Sequence, residues 1–140
     1  MLYPICVKSY AIKSIIPRKI LIVDDEPDLL KLMKERLERE GFTVVTATNA
    51  NAGFKKITEE NPELILLDVM MPDKDGFSML SELKRKDTMF HIPVIILSGK
   101  SETRSLFEGQ GLGATDYLIK PIEFKELIRT IRRYLPPISL

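Results

Sequence analysis

Two periodicities take turns along the chain. Short apolar runs of the kind that form buried strands alternate with longer stretches whose apolar residues recur every three or four positions, as on one face of a helix. Residues 20–23 make the first run. Leu29, Leu30, Met33 and Leu37 follow at helical spacing, and Gly41 stands where helices commonly end. Residues 42–46 predict a second strand. Asn49 is placed to cap the next helix, which carries Ala52, Phe54 and Ile57 until Pro62 stops it. A third apolar run covers 64–67, and residues 77 to about 86 predict a helix with Phe77, Leu80 and Leu83 along one face. Residues 94–97 form the most hydrophobic run; the helix predicted after it is crowded at its end by Gly109, Gly111 and Gly113. Residues 117–119 predict the last strand. Phe124, Leu127, Ile128, Ile131, Tyr134 and Leu135 then keep an apolar stripe until Pro136 and Pro137 end the final helix.

Continuous apolar strands alternating with amphipathic helices imply a parallel sheet covered on both faces, joined by right-handed crossovers. The expected fold is α/β: a flavodoxin-like, doubly wound, five-stranded parallel sheet with five flanking helices. With 140 residues the chain has room for one sizeable core. Pro17 separates the opening stretch from the first strand. The expected organisation is an N-terminal extension over 1–18, a domain over 19–137 and a short tail over 138–140.

Composition narrows the function more than it defines it. The 21 basic and 20 acidic residues nearly cancel, so neither direct nucleic-acid binding nor attraction to an anionic membrane is expected. Charged residues interrupt every apolar stretch before it could span a bilayer, and the opening residues lack the core and cleavage site of a signal peptide. One cysteine, Cys6, and one histidine, His91, exclude an internal disulfide and a Cys/His zinc cluster. A cytoplasmic setting is expected.

In sheets of this kind ligands bind beyond the carboxyl ends of the strands, near the point where strand order reverses. Asp24, Asp25 and Glu26 follow the first strand, Asp68 the third, Ser98 the fourth and Lys120 the last. Each alone is commoner as a cap or turn residue. Together they bring several carboxylates, a hydroxyl and an ammonium to one rim. Two carboxylates 4 Å apart repel by about 4 kcal/mol at an effective dielectric near 20, so the cluster calls for protons or a cation. An all-oxygen ligand set favours a hard ion such as Mg²⁺. Such a site suits phosphoryl transfer onto a carboxylate, with Ser98 and Lys120 contacting the phosphoryl oxygens.

The strings ILIVDDEPDLL, LILLDVMMPDKDGF, VIILSGK and DYLIKPI, in this order over about residues 19–135, resemble the successive signatures of the response-regulator receiver family of two-component signalling. The resemblance implies that Asp68 is the phosphoacceptor and that Asp24, Asp25, Asp68 and the backbone carbonyl of Met70 hold Mg²⁺. It implies that Ser98 and Lys120 act on the phosphoryl group and that Ser98 and Tyr117 form the switch. Lys120-Pro121 resembles a pair that is often cis in the family. The implied donors are a histidine kinase or a histidine phosphotransfer protein. The implied output is a downstream effector protein bound near Arg104, Phe107, Tyr117 and Lys125, since few residues follow the last helix. The implied role is that of a signalling domain that promotes its own phosphorylation and dephosphorylation, not of an enzyme.

The chain departs from the family's commonest pattern in its N-terminal extension, in Gly109 and Gly111, and in having Ser98 where threonine is more usual. Three rivals are weaker. Asp73, Asp75, Gly76 and Glu82 follow a calcium-loop spacing, but Met71 stands where the first acidic ligand belongs. A phosphatase of the haloacid-dehalogenase type needs a second aspartate where Met70 stands. A receiver-like module that binds partners without phosphorylation has no need of the complete acid, hydroxyl and lysine set.

Overall fold

The computed structural model describes residues 15–69, 76–99 and 111–139. Strand β1 is Ile15–Ile16 and β2 is Lys19–Val23, followed by helix α1, Pro27–Arg39. Strand β3, Thr43–Ala47, leads to α2, Ala50–Glu60, and β4, Leu64–Asp68, precedes α3, Gly76–Arg85. Next come β5, Val94–Gly99, and β6, Asp116–Lys120, then α4, Phe124–Tyr134, and β7, Ile138–Ser139. Strands β2 to β6 form one parallel sheet in the order β3-β2-β4-β5-β6. This is the flavodoxin-like arrangement expected. Of the five helices expected, four lie among the described residues; the one placed between β5 and β6 falls largely on 100–110, outside them.

Alternation along each strand divides the core in two. Ile20, Ile22, Leu64, Leu66, Ile95 and Leu97 pack on one face with Leu30, Met33 and Leu37 of α1 and Leu127 and Ile131 of α4. Leu21, Val23, Ile65, Leu67, Val94 and Ile96 pack on the other with Ile57 of α2 and Met79, Leu80 and Leu83 of α3. Asn49 caps α2 as anticipated, its side chain accepting from the Ala52 N–H at 2.8 Å, while Asn61 ends that helix in the left-handed region.

The second strand begins one residue later than its apolar pattern suggests. Phe42 is buried ahead of β3, and its N–H donates to the Leu37 carbonyl at 3.2 Å. It is apolar because it closes the turn after α1, with the Arg132 guanidinium stacked 4.2 Å from its ring. At the opposite rim, β1 and β7 pair antiparallel, so Ile15–Ile16 from the expected extension meet Ile138–Ser139 from the expected tail. Arg18 ties this ribbon to the domain: its Nε donates to Glu63 at 2.7 Å and its Nη1 to the Pro136 carbonyl at 2.6 Å.

Candidate functional site

The chain leaves β2 for β3 on one side and returns to β4 on the other. The strand order therefore reverses between β2 and β4, and their carboxyl ends carry Asp24 with Asp25 and Asp68. Apolar contacts hold each strand in register, and the acids are carried to the rim at its end.

Asp24 is fully buried. Its N–H donates to the Ala47 carbonyl at 3.1 Å, and its Oδ1 accepts from the Glu26 N–H at 3.0 Å, which turns the chain into α1. Asp68 ends β4 and is 2% exposed. One carboxylate oxygen from each of Asp24, Asp25 and Asp68 lies within 4.8 Å of the others. Glu26, read beside them along the chain, is exposed at the helix start and stands outside this group.

Lys120 reaches in from the end of β6. Its Nζ lies 3.3 Å from Asp24 Oδ2 and 3.4 Å from Asp68 Oδ2, and the Lys120–Pro121 bond is cis. Burial pulls the ammonium down, but Asp24 and Asp68 outweigh it and hold Lys120 above the ordinary lysine value of 10.5. Among the described residues, three clustered carboxylates are met by one ammonium. Ser98, on β5 beside Ile119 of β6, is fully buried, and its Oγ has no hydrogen-bond partner. A buried hydroxyl left unpaired costs about 1–3 kcal/mol. Tyr117 pairs in register with Ile96 and is half-buried against the α2 and α3 side of the core.

The structure thus brings Asp24, Asp25, Asp68 and Lys120 together, with Ser98 on the strand between Asp68 and Lys120. Met70, Asp73, Asp75, Arg104 and Phe107 lie outside the described residues. The donor set fits Mg²⁺ on chemical grounds: among the described residues it is oxygen only and clustered, with three carboxylates to one ammonium. An apolar groove of about 260 Å³ opens beside Lys120, between Leu29, Leu32 and Met33 of α1 and Ile122, Phe124 and Leu127. A larger one of about 550 Å³, lined by Arg18, Ile57, Glu63 and His91 among others, lies at the far rim and contains none of the clustered acids.

The sequence model of the response regulator receiver domain matches residues 20–132. The chain belongs to that family. This receiver domain is 38% identical over 118 residues to the alkaline phosphatase synthesis transcriptional regulatory protein PhoP of Bacillus subtilis, covering 84% of this chain and 48% of PhoP. It is also 38% identical over 117 residues to the probable transcriptional regulator ycf27 of Guillardia theta, covering 84% of this chain and 45% of that protein. The receiver chain spans about half the length of these relatives. Among solved structures, a putative response regulator from Chloroflexus aurantiacus superposes with a TM-score of 0.81 at 26% identity, over 86% of this chain and 98% of that one. The chemotaxis protein CheY4 of Vibrio cholerae superposes with a TM-score of 0.80 at 26% identity, over 85% and 99%. Phosphorylation-dependent two-component signalling follows for this receiver from its family.

Sequence reasoning missed Gly76 as a site-shaping residue. It weighed this glycine only as part of a calcium-loop spacing, whereas α3 begins there, hard against the backbone of Asp68 and Val69. A glycine at the first position of an amphipathic helix was the available signal.

Proposed function

We propose that Asp68 accepts a phosphoryl group from a histidine kinase or histidine phosphotransfer protein in a Mg²⁺-dependent reaction, and that the acyl phosphate switches the binding of a downstream effector. The observation that carries this reading is the Lys120 ammonium bridging the buried Asp24 and Asp68, with the unpaired Ser98 hydroxyl on the strand between Asp68 and Lys120. An Asp68 carboxylate oxygen bonds to phosphorus as the donor's nitrogen–phosphorus bond breaks; the imidazole leaves with that electron pair and takes up a proton. Asp24, Asp25 and Asp68, with the Met70 carbonyl that the family resemblance implies, are the ligands for Mg²⁺. When bound, the ion supplies positive charge to the transferring oxygens.

Lys120, already charged and facing Asp68, then contacts a phosphoryl oxygen in place of the carboxylate. The Ser98 hydroxyl donates to another, which ends its unpaired state. Its movement vacates space on the Tyr117 side of β5. Effector binding involves Tyr117 and Lys125 on the β6 and α4 side, together with Arg104 and Phe107. The same groups admit water to the acyl phosphate, so the domain promotes both its phosphorylation and its dephosphorylation without turning over a separate substrate. A cytoplasmic location fits such donors.

Treatment with a small acyl-phosphate donor tests the reading. Labelling should require Mg²⁺ and disappear in Asp68→Asn. Equal labelling of that variant would assign the acceptor elsewhere, and partner binding unaffected by phosphorylation would favour a constitutive binding module.

A further inference from the structure

Three described glycines near the working end and in the turns have different reasons to be glycine. Gly41 and Gly113 have φ of +97° and +100°, a region that suits glycine. Gly76 is the first residue of α3, where helical backbone does not demand a glycine. Space does. A methyl group at Gly76 would sit 2.6 Å from the Asp68 carbonyl oxygen and 2.6 Å from Val69 Cα. Ordinary carbon contacts lie at about 3.5–4.0 Å, so the overlap is on the order of 1 Å.

What it would strike is main chain, which cannot turn aside by changing rotamer. Gly53 of α2 makes the contrast, because its nearest neighbour is the flexible Met79 terminal methyl at 2.8 Å. The Gly76 N–H also donates to the Val69 carbonyl at 3.2 Å. Contact fixes the peptide between Asp68 and Val69, and the hydrogen bond fixes the next one. On the other side the Val69 N–H donates to the Leu97 carbonyl of β5 at 3.2 Å. The backbone carrying Asp68 is therefore clamped between β5 and the first turn of α3.

We infer that Gly76 is a positioning residue for Asp68: the missing side chain lets α3 seat on the Asp68–Val69 peptide and aim the carboxylate at Lys120 and the other acids. This rests on the phosphoacceptor reading of Asp68. A displacement of about 1 Å at a reacting group can cost about 10²-fold in rate.

The test compares Gly76→Ala with Gly53→Ala, each also a glycine-to-alanine change on a buried helix face. Folding is followed by circular dichroism, Mg²⁺ affinity by titration calorimetry and labelling by a small acyl-phosphate donor. Gly76→Ala is expected to stay folded, bind Mg²⁺ more weakly and label about 10²-fold more slowly, whereas Gly53→Ala keeps both properties whatever its stability. Unchanged affinity and rate in Gly76→Ala, or equal losses in both variants, would overturn the role. Should Gly76→Ala fail to fold, hydrogen exchange on the unsubstituted protein decides. The Gly76 amide should be protected like that of Val69 before any Mg²⁺ is added, and rapid exchange would overturn the clamp. If the unsubstituted protein itself is not labelled, the phosphoacceptor reading fails, while calorimetry and exchange still judge Gly76.

Discussion

The Lys120 ammonium lies 3.4 Å from the Asp68 carboxylate, with Asp24 on its other side at 3.3 Å. One side chain from the edge strand β6 thereby holds two acids brought from β2 and β4 near the centre of the sheet. Before any phosphoryl group arrives, Lys120 supplies positive charge that keeps these buried carboxylates together.

Replacing Lys120 with Met should therefore destabilise the metal-free protein by about 1–3 kcal/mol, the cost of leaving buried polar groups without a partner. Mg²⁺ should recover much of this, because it neutralises the same acids, and its binding should survive the substitution. The folded pKa of Lys120 is raised. Its contribution is thus complete below about pH 10.5 and lost as pH rises through the folded value. Thermal melts with and without Mg²⁺, and at rising pH, check both points. A metal-free melting temperature equal to that of the unsubstituted protein would deny Lys120 this role.

Arg18 lies within the stretch expected to stand outside the domain, yet it grips Glu63 and the Pro136 carbonyl. Arg18→Ala should cost about 1–2 kcal/mol, in the range for hydrogen bonds to charged groups. Deletion of residues 1–14, which leaves Arg18 in place, should cost less. Denaturant titration measures both. Equal losses would mean that the earlier residues also support the fold.

The parts visible in sequence are those governed by periodicity and by residue type at strand ends. Apolar runs and helical stripes located the five-stranded sheet. The rule that ligands gather beyond strand carboxyl ends located Asp24, Asp25, Asp68, Ser98 and Lys120 together. What stayed hidden depends on distances that no local pattern encodes. Leu37 and Phe42 look alike as apolar positions, although one faces the core from a helix and the other closes a turn. Arg18 and Glu63 are far apart along the chain, and nothing near either announces their pairing. Gly76 stands out in sequence only within a calcium-loop spacing, because the backbone it must avoid belongs to residues 68–69.

The proposed switch predicts an asymmetric response. With Mg²⁺ and beryllofluoride as a phosphoryl mimic, amide signals of Ser98, Tyr117, Lys120 and the start of α4 should shift, while those of β3, on the opposite edge, should move little. The bound mimic can change the population of arrangements only through contacts that differ between them, and the proposed function assigns those contacts to Ser98 and Lys120. Heteronuclear NMR supplies the measurement. Shifts confined to residues next to Asp68, with β6 silent, would refute the switch.

Asp68→Asn removes one negative charge from a crowded cluster and one partner of Lys120. These effects oppose each other, so stability should stay level or rise by about 1 kcal/mol or less in the absence of metal. A marked loss in chemical denaturation would show that the Lys120 contact outweighs the repulsion among the acids.

Mapping the phosphoryl group on the unsubstituted protein tests the central claim most directly. After reaction with a small acyl-phosphate donor and Mg²⁺, reductive trapping and peptide mass spectrometry should place one modification at Asp68, absent when Mg²⁺ is withheld. A modification at Asp24, Asp25 or Ser98, or labelling indifferent to Mg²⁺, would contradict the account.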